Sequence, residues 1–498
     1  MERSTPIPML VLCTGAFVGI FVWWRKERRA KAPNIPMAQG GLPLLGHALQ
    51  YKEDPAGCIR RQEERVGKVF YINLAGRRMV VVGSDPEAMK QVAMQPATVL
   101  SAQRAVAEIG FEYLLGTANV YKGTTFHKRI IKEEISSKEK FDTMLPTLFQ
   151  ALSTALDDEC RAHNSRDATL SHPDVFHLVR RCILRAALDV LVTPWLLHRD
   201  PSLLTALMSF QDNVEDATAK AAVLPRFLAL PLCLWPMALS RRRLTQRLKR
   251  ILESVKTEAE AAEAGPWLRA FWSEQVPLQD AAEFVVGLVF AAHKNPAIGA
   301  AQSLCFLRSL DVTTQQTAAT EAKRLQASMA DGARQKGGVE ALLAATTLRQ
   351  CVLETMRITA HTLGALRYAN APLEIKTRAS NLTIPRGATV AIAHNSTHSD
   401  VSVWGSNASE FRLDRPEWTL QSADMSSPVD PYKLTTFSQG VHKCPGEKFA
   451  MAVMEMMLAL LLLRDSQLHR TPELSFERAT LAQRAGPVPV KFQRHVLV

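Results

Sequence analysis

F-S-Q-G-V-H-K-C-P-G-E-K-F-A, residues 437–450, decides the reading of this chain. It presents Cys444 in a shaped loop. Gly440 and Gly446 bracket the cysteine and allow turns that a side chain would block. Pro445 removes one N–H and stiffens the turn. His442 and Lys443 are expected to put positive charge beside the sulfur and so favour the thiolate. From Glu447 the pattern becomes helical and apolar (F-A-M-A-V-M-E-M-M-L-A-L-L-L-L), which places the sulfur just before a helix N-terminus, where negative charge is favoured. A lone cysteine ahead of a core helix is commonly just a small buried hydrophobe. The two glycines, the basic neighbours and the helix start together argue for a thiolate ligand instead.

The spacing F-x-x-G-x-H-x-C-x-G, met by Phe437, Gly440, His442, Cys444 and Gly446 with Ala450 following, resembles the haem-binding loop of the cytochrome P-450 family. The resemblance implies a mainly α fold with small β-sheets, the cytochrome P-450 fold, preceded by one N-terminal transmembrane helix. It also implies haem as cofactor with Cys444 as the axial thiolate on iron, a ligand that pushes electron density toward O–O cleavage. Phe437, Gly440 and His442 then belong to the cofactor-binding loop.

The rest of the composition is compatible with that class. The chain has 498 residues, is 47% hydrophobic and 22% charged, and carries a net charge of +12. Its eight cysteines (13, 58, 160, 182, 233, 305, 351, 444) form no C-x-x-C pair and no C-x-x-C-H, so a disulfide scaffold and covalent c-type haem attachment are unsupported. The basic balance, without a nucleic-acid motif, points to an anionic membrane or an acidic protein partner.

Residues 8–24 are apolar without a charge, and R-K-E-R-R-A-K at 25–31 adds five basic residues and one acid. Charge after the run rather than before it argues against a signal peptide. The positive-inside rule puts Arg25 onward in the cytosol. The expected organisation is a membrane anchor with its basic flank (1–31), a Pro/Gly-rich hinge that is not a packed element (32–50) and a catalytic domain (51–498). The expected site is the endoplasmic reticulum membrane, single-pass, with the catalytic domain facing the cytosol. V-F-Y-I-N-L-A-G-R-R-M-V-V-V-G (69–83) predicts two strands around Ala75-Gly76.

Thr124–Ile135 predicts a basic helix. The family usually carries Trp-x-x-x-Arg there, both residues reaching a haem propionate. Arg129 fits the arginine, Thr125 stands at the tryptophan position, and His127 or Lys128 are substitute donors. A solvated basic face, or a docking face for an electron donor, is the alternative. The stretch 224–243 (L-P-R-F-L-A-L-P-L-C-L-W-P-M-A-L-S-R-R-R) is apolar, then basic, and interrupted by Pro225, Pro231 and Pro236. That order suits a patch dipping into the membrane interface, not a clean spanning helix.

Residues 281–307 predict a long buried helix, interrupted at His293-Lys294-Asn295-Pro296. The family's oxygen-binding groove lies here, usually A/G-G-x-D/E-T. In this chain Ala291 and Ala292 stand for the small pair, Lys294 for the acid and Asn295 for the threonine. That departure puts the usual proton path in doubt and makes Asn295 and His293 the candidate catalytic residues, with ordered water as an alternative. A-x-K-N-P is similar to oxygenases of fungal secondary metabolism. Haem-thiolate isomerases and dehydratases that rearrange peroxides also lack the threonine.

Glu354 and Arg357 lie three apart on a predicted helix and can pair. By resemblance they form the family's buried pair, completed by Arg415 or, as second choice, Arg412. Arg367 resembles a propionate-binding position. L-T-I-P-R-G-A-T-V-A-I-A (382–393) predicts a hairpin turning at Pro385-Arg386-Gly387, and the N-x-S/T triplets at Asn381, Asn395 and Asn407 carry no meaning on a cytosolic face. The implied function is insertion of oxygen from O2 into an apolar terpenoid, sterol or polyketide intermediate. Electrons would come from NADPH through a partner cytochrome reductase. The rival is a peroxide isomerase or dehydratase that needs no reductase. A non-enzymatic haem sensor or carrier is disfavoured by the anchor and the long apolar loop.

Overall fold

The alternating apolar residues of 69–82 build the first hairpin. Strand β1 (Val69–Leu74) pairs antiparallel with β2 (Arg77–Val82), from Val69 opposite Val82 to Leu74 opposite Arg77. Ala75 and Gly76 both have positive φ, 52° and 87°. That is the twist a two-residue hairpin loop requires, and the second position falls to glycine because it carries no Cβ penalty. The structure, a computed structural model, describes residues 34–493 apart from 44, 163–168, 223, 225, 256–261, 332–336, 378–379, 420–424, 428 and 478–479. The expected anchor (1–31), the start of the hinge and Pro225 lie outside the described residues.

The described part of the hinge is packed, contrary to expectation. Tyr71 donates its N–H to Pro36 O and Ala38 donates to Tyr71 O, both at 2.7 Å. His47 donates to Asn73 O, also at 2.7 Å. The prolines and glycines thus lay the chain along the open edge of β1 and blunt it.

The main sheet continues with β3 (Leu100–Ser101), β5 (Leu363–Ala369) and β8 (Thr389–Ala393), in the order β1-β2-β8-β5-β3. Between β3 and β5 in the chain, β4 (Thr169–His172) pairs with the C-terminal strand Val490–Gln493. The hairpin expected at 382–393 does not form. β7 (Asn381–Ile384) pairs with β6 (Leu373–Lys376), whereas β8 runs parallel to β2. The turn at Pro385-Arg386-Gly387 joins two sheets, because β8 is buried between β2 and β5 and has no free edge for β7.

Nine helices position the site: α1 (Thr124–Glu134), α2 (Lys138–Ala162), α3 (Val175–Leu191), α4 (Leu203–Ala222), α5 (Trp235–Ser254), α6 (Leu278–Ala292), α7 (Lys294–Leu307), α8 (Thr346–Ile358) and α9 (Glu447–Leu463). α7 and α9 are buried along nearly their whole length, as their all-round apolar sequences require. α7 packs against α3, α8 and α9 and forms the centre of the core. The span Leu278–Leu307 is long and apolar enough to cross a membrane, yet it is mostly buried inside the fold.

The apolar stretch before α5 is helical almost throughout, as Arg226–Ala229, a π-turn at Leu230–Leu234, and α5. Pro231 and Pro236 do not break it. Each sits in a first turn, where a missing N–H leaves no hydrogen bond unmade. Of the three arginines, Arg241 turns inward to Glu283 at 2.5 Å.

Glu354 and Arg357 on α8 form the core's main ion pair. Arg357 donates Nε to Glu354 Oε2 at 2.8 Å and Nη2 to Oε1 at 2.7 Å. Arg415 donates Nε to the same Oε1 at 2.9 Å. Arg412 contributes only its backbone N–H, its guanidinium being held by Asp414. Arg357 also reaches the carbonyls of His398, Ala408 and Glu410 and so ties α8 to the segment leading into the cysteine loop.

Candidate active site

The cysteine loop is closed by its own backbone. Cys444 N–H donates to Phe437 O at 2.7 Å, Ser438 N–H to Thr435 O at 2.9 Å, and Lys443 N–H to Gly440 O at 3.1 Å. Gly440 has φ +59°, and a Cβ there would lie 2.2 Å from the carbonyl oxygen of Ala93. Both facts demand glycine. Gly446 is different: its φ is −91° and the nearest atom to a Cβ would be Cys444 Sγ at 4.0 Å. The turn itself therefore does not require the second glycine. α9 begins at Glu447, so the sulfur does stand just ahead of a helix N-terminus.

The basic neighbours do not act on the sulfur as expected. Burial pushes the Cys444 thiol up, and the Gly446 N–H opposes this only in part. Lys443 is paired with Glu447 at 2.7 Å, so its charge is offset by a carboxylate that itself raises the thiol. His442 is pulled down to about 4 by burial and by Arg367, so it is neutral at pH 7. Ionisation of this thiol therefore calls for a cation bound to it, and a coordinated thiol is deprotonated outright.

Beside the loop lies a cluster of donors. Arg367 on β5 is 8% exposed and, among the described residues, donates only to Leu366 O (2.8 Å) and Ser438 Oγ (3.3 Å). Burial alone pulls it down to about 10, with no carboxylate to restore it. His442 Nε2 is buried without a hydrogen-bond partner among the described residues. Lys128 on α1 lies close enough for its charge to act on His442. A buried guanidinium without an acid and an orphaned ring nitrogen are costly features unless a ligand completes them. A planar cofactor with a metal for the thiol and carboxylates for the cations fits this donor set.

Arg129 is not part of the cluster. Its guanidinium is bound by Glu274 at 2.5 Å and approached by Glu133 at 3.8 Å, on a partly exposed face. Lys128, one residue earlier, is exposed, and only its charge acts on His442. His127 is engaged elsewhere: it accepts from Trp267 Nε1 at 3.1 Å and meets Asn119 at 3.2 Å.

The helix break falls where the sequence placed it, at His293 (φ −120°, ψ −44°), between α6 and α7. His293 is fully buried. Its Nδ1–H donates to Val289 O at 2.6 Å and its Nε2 accepts from Arg180 Nε at 3.3 Å. Burial and Arg180 pull it down to about 3. It is a neutral ring with both nitrogens engaged, and this corrects the expectation that it donates protons. Lys294 is also buried and donates to Asp212 (2.8 Å) and Glu215 (2.5 Å) on α4. Only Asn295, with Ala291 one turn before it, is exposed on this otherwise buried stretch. Asn295 Oδ1 accepts the N–H of Leu481 at 3.3 Å.

Sequence reasoning missed Arg180, Gln211, Asp212, Glu215 and Leu481. Asp212-x-x-Glu215 is an acidic i,i+3 pair, a pattern visible in the sequence. Only the fold brings it opposite Lys294.

Fold and donor set together define a haem-thiolate protein. The chain belongs to the cytochrome P450 family, whose model matches residues 36–491. It is similar to "Cytochrome P450 720B2" of Pinus taeda, 24% identical over 89% of this chain and 86% of the relative. It is likewise similar to "Cytochrome P450 26C1" of Mus musculus, 22% identical over 92% of this chain and 89% of the relative. A shorter match, 27% identical over 26% of this chain and 37% of the relative, is to "Cytochrome P450 monooxygenase pytD" of Aspergillus terreus. The chain is thus a cytochrome P450 monooxygenase, and its family implies haem-thiolate iron, a redox partner and a hydrophobic substrate.

Proposed function

We propose that Cys444 is the thiolate ligand of haem iron, that Arg367 and Lys128 meet the haem carboxylates, and that His442 Nε2 takes up a proton when a carboxylate is bound beside it. On this reading the chain is a membrane-bound monooxygenase of secondary metabolism, acting at the endoplasmic reticulum on an apolar terpenoid, sterol or polyketide intermediate, with electrons from an NADPH-dependent reductase. The observation that carries the haem assignment is the buried Arg367 and orphaned His442 Nε2 beside the cysteine loop. Bound haem supplies the activation of dioxygen; the protein supplies orientation, dryness and the thiolate. Asn295, rather than His293, is the polar group at the groove. Its carbonyl is held by Leu481, which leaves the NH2 as the donor available to a bound molecule.

The membrane assignment rests on exposed apolar residues. Leu228, Leu232, Trp235 and Leu239 are spaced four, three and four apart, so they share one side of a helical run. Met37, Leu42, Leu45 and Leu49 are exposed at the edge of β1. The two groups are linked through the first hairpin: Ala75 N–H donates to Leu45 O, and Arg77 Nη2 to Ala221 O, each at 2.9 Å. Exposed apolar surface of this extent, with Arg242, Arg243, Lys249 and Arg250 exposed further along α5, suits an anionic lipid surface.

The cofactor assignment separates Arg367 and Lys128 from Arg129. Arg367→Leu and Lys128→Leu are expected to speed haem loss to apomyoglobin by about tenfold each, the equivalent of one charge-assisted hydrogen bond. Arg129→Leu should leave the rate within about twofold, as an exposed ion pair contributes little. The function as a whole is tested by comparing metabolites of the source organism with and without this gene. An accumulated compound that lacks one oxygen, or carries extra hydrogens, relative to the lost product supports the reading. Equal masses, or a difference of one water, would transfer the assignment to a peroxide isomerase or dehydratase.

A further inference from the structure

Two buried acids share one guanidinium beside α9. Glu455 on α9 is fully buried. Its Oε1 accepts from Arg349 Nη1 on α8 at 3.2 Å, and its Oε2 has no hydrogen-bond partner among the described residues. The second acid is Glu321, on the helix Val312–Asp331 that packs against α9. Among the described residues, Arg349 and Glu321 are the charged groups that act on Glu455 from the elements packed against α9. Glu321 accepts from Thr346 Oγ1, Thr347 N–H and Oγ1, and Leu348 N–H, at 2.9–3.2 Å. These four donors cap the first turn of α8 through Glu321 and occupy the oxygens that a carboxyl proton would need. One guanidinium balances one carboxylate, so the other acid is neutral only with a proton. The orphaned oxygen marks Glu455 as the acid that holds it, because an unpartnered buried oxygen costs far less in a carboxylic acid than in a carboxylate. Burial pushes the Glu455 carboxyl up to about 7; Arg349 opposes this and Glu321 adds to it.

We infer that Arg349, Glu321 and Glu455 form a proton-dependent latch on residues 425–427, the segment that supports the start of α9 beside Cys444. Arg349 Nη2 donates to Ser426 O at 2.7 Å, and the next N–H, of Ser427, donates to Glu447 Oε1 at 3.0 Å. Glu447, the first residue of α9, in turn pairs with Lys443. With a proton on Glu455, Arg349 is left to hold Ser426 O. When the proton leaves, the new carboxylate competes for the guanidinium, and the hold on Ser426 and Ser427 weakens. The latch therefore opens as pH rises through neutrality. The folded chain keeps a proton that the unfolded chain releases, so this group's contribution to stability is full below 4.5, the ordinary carboxyl value, and is lost as pH rises through about 7. The latch acts on the support of the loop, whatever Cys444 binds.

The test compares the full-length haem-loaded protein with its Glu455→Gln variant in detergent, at about pH 6 and about pH 8, on either side of the expected proton release. Glutamine keeps the size of the side chain and stays neutral. In the infrared, the wild type is expected to show a carboxylic-acid C=O band at the lower pH that is lost at the higher pH and absent from the variant at both. In hydrogen exchange, the Ser427 amide is expected to behave alike in the two proteins at the lower pH, and to exchange about tenfold faster in the wild type at the higher pH, the scale of one hydrogen bond from a charged group. The inference is overturned if the variant removes no acid band, since Glu455 then holds no proton. It is equally overturned if the ratio of the two Ser427 exchange rates is the same at both pH values, since the cluster would then be a stability element and nothing more.

Discussion

Glu354→Ala is expected to leave almost no folded protein. The carboxylate accepts two bonds from Arg357, one from Arg415 and the backbone N–H of Arg412, and all three charged side chains are essentially out of contact with water. Removing it leaves two buried guanidinium groups without a counter-charge. Breaking a buried pair in this way costs about 3–5 kcal/mol, against a total stability of about 5–15 kcal/mol for a typical domain. Arg357 also binds three carbonyls that fix the segment running toward the cysteine loop, so the loss spreads to the site. Soluble yield and the near-ultraviolet circular dichroism of the variant measure it. Arg412→Ala is the control: its side chain pairs only with exposed acids, and its backbone N–H survives the substitution. A well-folded Glu354→Ala protein would show that the triad does not hold the core.

Cys444→Ser carries the second large effect, on chemistry rather than folding. The loop is closed by backbone bonds from Cys444 N–H to Phe437 O and from Lys443 N–H to Gly440 O, and serine keeps both. Unfolding of the apoprotein should therefore shift by less than about 1 kcal/mol. What changes is the donor. A hydroxyl does not supply the soft, electron-rich ligand that favours O–O cleavage. Product formation with the reductase is expected to fall by at least about a thousandfold, a barrier increase of roughly 4 kcal/mol. Turnover near wild type in the serine variant would remove Cys444 from the chemistry.

Local patterns made much of the fold legible. The alternating run at 69–82 gives its hairpin, and Ala75-Gly76 its turn. The polar break in 281–307 falls at His293, because four consecutive non-apolar positions cannot continue a buried helix unassisted. Spacing placed Glu354 and Arg357 on one face, and the choice of Arg415 over Arg412 agrees with the side-chain contacts.

The failures have a common cause: each depended on a partner distant in the chain. β7 was matched to its neighbour β8, but β2 claims β8 through a parallel pairing that no local signal carries. The hinge residues read as a linker because the open edge of β1 is invisible to them. Arg129 matched a motif position, yet Glu274 holds it on a partly exposed face. His293 was assigned a proton-handling role from its residue type, while Arg180, over a hundred positions earlier, locks it neutral. Charge beside Cys444 was read as free, although Glu447 pairs with Lys443 one turn later.

The central claim is that a sulfur of this chain binds the iron. X-ray absorption at the iron edge of the purified wild-type protein tests it without substrate, reductase or membrane. The expected result is one sulfur among the atoms bound to iron, absent from Cys444→Ser. A spectrum in which only nitrogen and oxygen bind the iron, or in which sulfur persists in Cys444→Ser, would contradict it.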